Sequence, residues 1–135
     1  MPLFGGVPLE KLNEYSPLVL AYIGDAVFEL FVREMLVSKG NKPVDKLHKA
    51  ATSYVSAAAQ SESFKQIEQK LTDSEMQIFK RGRNTKSTVP KNADMSQYRA
   101  ATGLESLIGY IYLTGNIARL KEIMSLILVR AGDGV

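Results

Sequence analysis

Three carboxylates stand in stretches that are otherwise apolar. Between Pro17 and Val32 the only charged residues are Asp25 and Glu29, within LVLAYIGDAVFELFV, and between Ala100 and Ala118 the only one is Glu105, within ATGLESLIGYIYLTGNIA. An ionised carboxylate in apolar surroundings must be neutralised, paired with a cation or set against a metal ion. Asp25 and Glu29 are four apart and share one helical face, and Gly24 beside Asp25 lets another helix approach closely. If the Glu105 helix packs there, the carboxylates converge. Oxygen donors without cysteine, and with His48 as the lone histidine, suit a hard cation such as Mg²⁺ or Mn²⁺, which activates water on phosphate esters. Spacing alone leaves open the other reading, structural acids satisfied by caps, water, Arg33 or Arg99.

The second feature is a concentration of positive charge. The chain carries 17 Lys plus Arg against 14 Asp plus Glu, a net +3. Lys80, Arg81, Arg83, Lys86 and Lys91 fall within KRGRNTKSTVPK without an acid, so residues 80 to 91 hold +5 and the rest sums to −2. A-form RNA is met through its backbone, 2′-hydroxyls and shape, and Lys, Arg, Asn, Ser and Thr are suited to that surface. Arg81, Arg83, Lys86 and Lys91 are the candidate phosphate contacts, against the plainer reading of a solvated basic turn. His48, in KLHKAA on a helix of mixed polarity, receives no catalytic assignment.

These groups need helices to place them. Ser16 as N-cap, Pro17 at the first position and Gly40 beyond the end predict a helix from Ser16 to about Ser38, expected to be the central one. A second spans about Asp45 to Gln60 and continues, with a break, through Phe64 and Ile67 to Leu71. Thr72 and Glu75 form a capping box for a short helix carrying Met76 and Phe79, which Gly82 is expected to end. Residues 82 to 94 then read as an exposed basic loop. A helix from near Ser96 to Thr114, closed by Gly115 and Asn116, and a last one bearing Ile117, Leu120, Ile123, Met124, Ile127 and Leu128 complete the chain. No strand pair, repeat or glycine-rich phosphate motif is present, so the expected fold class is all-α, one domain over residues 1–135.

At 135 residues, 45% hydrophobic and 23% charged, the composition is that of a globular domain rather than a disordered or fibrous chain. The absence of cysteine excludes disulfides, thiol catalysis and zinc-thiolate sites. The N-terminal stretch lacks the basic start and apolar run of a signal peptide, and a cytoplasmic protein with no membrane partner is the expectation.

LAYIGDAVFEL, from Leu20 to Leu30, resembles the signature helix of the ribonuclease III family's catalytic domain, and TGLESLIGYIYL, from Thr102 to Leu113, resembles its second acidic helix. The RGRN-K-S run at Arg81 to Ser87, the PKN at Pro90 to Asn92 and the short length resemble the branch that has the catalytic domain alone, without a double-stranded-RNA-binding domain. That likeness covers nearly the whole chain. In the larger family four acids form the site: a Glu four residues before the signature Asp, that Asp, and an Asp and a Glu spaced by three. Asp25 and Glu105 match the second and fourth, while Ala21 and Thr102 stand at the other two, a reduced set that the short branch shares.

The resemblance implies an all-α endonuclease that forms a homodimer, places two active sites along one groove and cuts both strands of double-stranded RNA with Mg²⁺, Mn²⁺ substituting. Asp25 is then a metal ligand that helps orient the attacking water, Glu105 the second ligand, and Glu29 a supporting or dimer-interface residue. The implied role is maturation of 23S ribosomal RNA precursor ends in bacteria, with a ribosomal protein as candidate helper. A non-catalytic RNA-binding or ribosome-associated module on the same fold is the alternative, since two acids are missing. A helical protein-interaction module explains the helices but not the concentrated charge.

Overall fold

Capping chemistry sets most of the helix boundaries. The computed structural model describes residues 3–129. The chain enters through a single turn, α1 (Leu9–Leu12), and Ser16 then opens α2 (Pro17–Ser38) by accepting the Leu18 amide at 3.2 Å. After α3 (Val44–Val55), Ser56 turns extended and caps α4 (Ala57–Ile67), accepting from the Ala59 amide. The break between these helices therefore falls four residues earlier than Gln60, where the sequence predicts it, because a serine that can cap a new helix outcompetes continuation of the old one. A 3₁₀ turn, Glu68–Lys70, leads to α5 (Asp73–Asn84), where the Thr72 and Glu75 capping box forms as expected. Asp94 caps α6 (Met95–Thr114), left-handed Gly115 ends it, and Asn116 caps α7 (Ile117–Leu128).

Two expectations are corrected. Gly82 does not end α5: the helix continues to Asn84, and a Cβ on Gly82 would lie 2.5 Å from Ser106 Oγ and 2.9 Å from Gly103 Cα. The glycine is there for close packing of α5 on α6, so Arg81 and Arg83 ride on a helix and only Lys86 and Lys91 lie in the connecting segment. The central helix is α6 rather than α2, since α6 touches α1, α2, α4, α5 and α7 and buries Leu104, Leu107, Ile108 and Ile111.

Around α6 the core gathers Val27, Phe28 and Val32 from α2, Phe64 and Ile67 from α4, Phe79 from α5, and Leu120, Ile123, Met124 and Ile127 from α7. The Phe64 and Phe79 rings stack with centroids 3.6 Å apart. By contrast α2 leaves apolar side chains bare: Leu18, Val19, Tyr22, Leu30 and Val37 are exposed. At the far edge Arg119 of α7 makes a two-point contact with Glu75, Nη2 to Oε1 at 2.7 Å and Nε to Oε2 at 2.8 Å, and donates to the Lys70 carbonyl. No helix among the described residues is long and apolar enough to cross a membrane.

Candidate active site and RNA-facing surface

Glycines make the crossing of α2 and α6. A Cβ on Gly24 would collide with the Glu105 carbonyl oxygen, and one on Gly109 would collide with that of Leu20. Packed helix axes usually stand about 8–10 Å apart, and backbone contact of this kind requires residues without side chains. Asp25 follows Gly24, and Glu105 supplies the carbonyl that Gly24 meets, so both carboxylates leave the crossing on adjacent helices.

Their proximity is visible in the protonation of Glu105. Burial, followed by the negative charge of Asp25, pushes its carboxyl up to about 8; a hydrogen bond with Asp25 and the charge of Glu29 act in the same direction, while a bond from Gln60 opposes them. Asp25 itself is exposed, beside the core rather than in it, two positions that the apolar run leaves open. The reason is that much of the apolar surface of α2 faces outward. Glu29 is half-buried and pairs with Arg33 at 3.0 Å, one turn along its own helix. Arg33 is thereby engaged, and among the described residues neither Asp25 nor Glu105 has a Lys or Arg partner within 4.0 Å.

This donor set fits a divalent cation. No group of three or more His, Cys, Asp and Glu side chains placed to hold a metal occurs among the described residues. Mg²⁺ does not require one: it is commonly held by one or two carboxylates, its other positions going to water and phosphate oxygens. Two adjacent, oxygen-only, cation-free carboxylates meet that requirement.

One contributor has no strong sequence signal. Gln60 of α4 is 1% exposed, and its Nε2 donates to Glu105 Oε2 at 3.3 Å. Lying in AAAQSES, it reads as part of a polar helix end, and only the capping serine four residues earlier places it a full turn inside α4.

Basic residues line two open clefts along α5, one of them reaching the start of α6. Arg81 and Lys80, with Pro17, Gln77, Asn84 and Thr85, line an open cleft of about 620 Å³. Arg83 lines another of about 400 Å³ with Asn84, Met95, Ser96 and Arg99, its guanidinium 5.8 Å from the Phe79 ring centroid. Lys86 and Lys91 are exposed. From Met95, which borders the Arg83 cleft, to Glu105 the rise of an α-helix amounts to about 15 Å, whereas Gly82, beside Arg81, packs against Ser106, the neighbour of Glu105.

The Ribonuclease III domain profile matches residues 18–116, which spans both the acidic crossing and the basic segment. The chain belongs to the ribonuclease III family. It is accordingly an endoribonuclease. It is similar to Mini-ribonuclease 3 of Clostridium tetani, 50% identical over 88% of this chain and 80% of that protein. Mini-ribonuclease 3 of Thermoanaerobacter is 52% identical over 87% and 83%, and that of Enterococcus faecalis 45% over 93% and 97%. A crystal structure of a Fusobacterium nucleatum protein superimposes with a TM-score of 0.77 at 34% identity, covering 84% of this chain and 92% of that one. The all-α expectation is met. At the two positions where the ribonuclease III resemblance leads one to expect further acids, Ala21 is buried and Thr102 donates its hydroxyl to the Tyr98 carbonyl at 3.1 Å.

Proposed function

We propose that the chain cleaves double-stranded RNA with Mg²⁺ as a homodimer, using Asp25 and Glu105 as the metal-holding pair. The observation that carries this reading is the cation-free convergence of these two carboxylates at the Gly24–Gly109 crossing. A pure binding surface has no use for acids beside phosphates, which repel them unless a cation intervenes. Bound between these residues, Mg²⁺ would supply an activated water and stabilise the leaving oxygen, giving a 5′-phosphate and a 3′-hydroxyl.

Asp25, exposed, faces the approaching strand and orients the attacking water, while Glu105, held from behind, fixes the depth of the site. Glu29 supports from the next turn of α2 and borders the bare apolar stripe, which we assign to the two-fold contact. Arg81, Arg83, Lys86 and Lys91 hold the phosphate backbone. The likeness to the short ribonuclease III branch points to 23S ribosomal RNA precursor ends in the cytoplasm as the natural duplex, with a ribosomal protein as a candidate helper.

The test is a digest of long double-stranded RNA by purified protein with and without Mg²⁺, comparing wild type with Asp25→Asn and using single-stranded RNA and duplex DNA as controls. Metal-dependent cutting of the RNA duplex alone, lost in the variant, is the expected result. Binding without cutting would replace this reading with a non-catalytic RNA-binding module on the same fold.

A further inference from the structure

Gln60, a buried side chain from a third helix, reaches the carboxylate pair. It sits at 1% exposure on α4 and contacts Glu105 across 45 residues of sequence. Its placement depends on the extended Ser56, which breaks α3 from α4 and starts a helix that packs against α6. Burying an amide costs free energy that a leucine of similar size would not, so a purely structural role gives no reason for a polar group at this position.

We propose that Gln60 is a positioning residue that fixes the Glu105 carboxylate for a divalent cation shared with Asp25; this rests on the reading of those two acids as the metal ligands. The amide N–H engages one carboxylate oxygen, Oε2, at 3.3 Å. Neutrality is the essential property of the donor. A lysine or arginine here would form an ion pair with Glu105, cancelling the charge that attracts the metal. The amide instead restrains rotation of the carboxylate without adding a fixed positive charge to compete with the metal, the part that outer-shell partners play at metal sites.

The experiment uses the full chain and Mn²⁺ alone as probe, with free Mn²⁺ followed by its electron paramagnetic resonance signal during titration. Wild type, Gln60→Leu, Gln60→Met and Glu105→Gln are compared, with thermal unfolding recorded for each. Gln60→Leu is expected to weaken Mn²⁺ binding by roughly 10–100-fold and to raise the Mg²⁺ needed for half-maximal RNA cleavage in parallel, with an unfolding temperature equal to wild type or higher. Excess Mg²⁺ should recover the rate. Wild-type Mn²⁺ affinity in folded Gln60→Leu, beside loss of binding in Glu105→Gln, would overturn the positioning role and leave the ligand assignment standing. Unchanged binding in Glu105→Gln would remove the ligand assignment and this proposal together. Should the leucine variant fail to fold, Gln60→Met, unbranched and close in length, decides by the same affinities.

Discussion

Gly24 and Gly109 face each other across the α2–α6 crossing so closely that a methyl group on Gly24 would lie 2.9 Å from the Gly109 amide nitrogen. Gly24→Ala must push the helices apart. Overpacking of this kind costs about 3 kcal/mol, measurable as a lower denaturant midpoint. Because Asp25 and Glu105 ride on the two helices being separated, cleavage should fall by roughly 100-fold even where the variant is fully folded. A folded Gly24→Ala protein that cuts at the wild-type rate would show that the crossing does not set the carboxylate spacing.

Protonation of Glu105 gives the metal-free protein a definite pH dependence. Its folded-state value, near 8, lies above the ordinary glutamate value of 4.5. The folded state therefore holds the proton more tightly, and the associated stability is complete below about pH 4.5 and lost as pH rises through 8. Thermal unfolding in chelator should show a melting temperature that declines across this window, and Glu105→Gln should flatten that decline. An identical slope in the variant would assign the effect elsewhere.

Much of this site is legible before the fold. Gly24 beside Asp25 signals a close helix approach, and isolated charges in apolar runs single out both acids. Other features were hidden because one residue type serves several ends. A glycine reads equally as a helix terminus or as a contact point, and at Gly82 the contact wins. The apolar run places Asp25 in or beside the core, and only the packing shows which: it stands beside it, because part of that run is surface left bare on α2. Gln60 escaped because its burial depends on Ser56 redirecting the chain, a tertiary outcome that polarity patterns do not encode.

The Glu75–Arg119 pair is a two-point polar tie with side chains only 12% and 18% exposed. Arg119 holds the Glu75 carboxyl below its usual range, so the stability from this pair is present above that range and lost as pH falls through the lowered value. Arg119→Met leaves Glu75 without its partner and should cost about 3 kcal/mol at neutral pH, a loss that shrinks in acid. Equal destabilisation at pH 7 and pH 3 would contradict this.

Removal of positive charge should separate two roles. Arg81→Ala, Lys86→Ala and Lys91→Ala should each weaken binding to duplex RNA and lower the slope of log affinity against log salt by roughly 1 per phosphate contact, without altering the melting temperature. Arg83→Ala should do the same and also lose a little stability, about 0.5–1 kcal/mol, because its guanidinium lies over Phe79. An unchanged salt slope in the triple variant would take this surface out of RNA binding.

The bare stripe on α2 predicts association. Leu30 is 57% exposed and Tyr22 83%. Leu30→Asp should convert a dimer into a folded monomer, read as a halved mass by light scattering and an unchanged helical circular dichroism spectrum. Wild-type protein that is monomeric at micromolar concentration would remove the two-fold assignment.

Arg119 clips three pieces of chain together: its own helix α7, the Lys70 carbonyl and the Glu75 cap of α5. Glu75 lies 44 residues upstream, so during synthesis α5 is complete long before its fastener emerges. Until α7 has cleared the translation machinery, the helix bearing Arg81 and Arg83 lacks this tie. The order in which the polypeptide is made thus leaves α5 without this fastening until α7 has followed it.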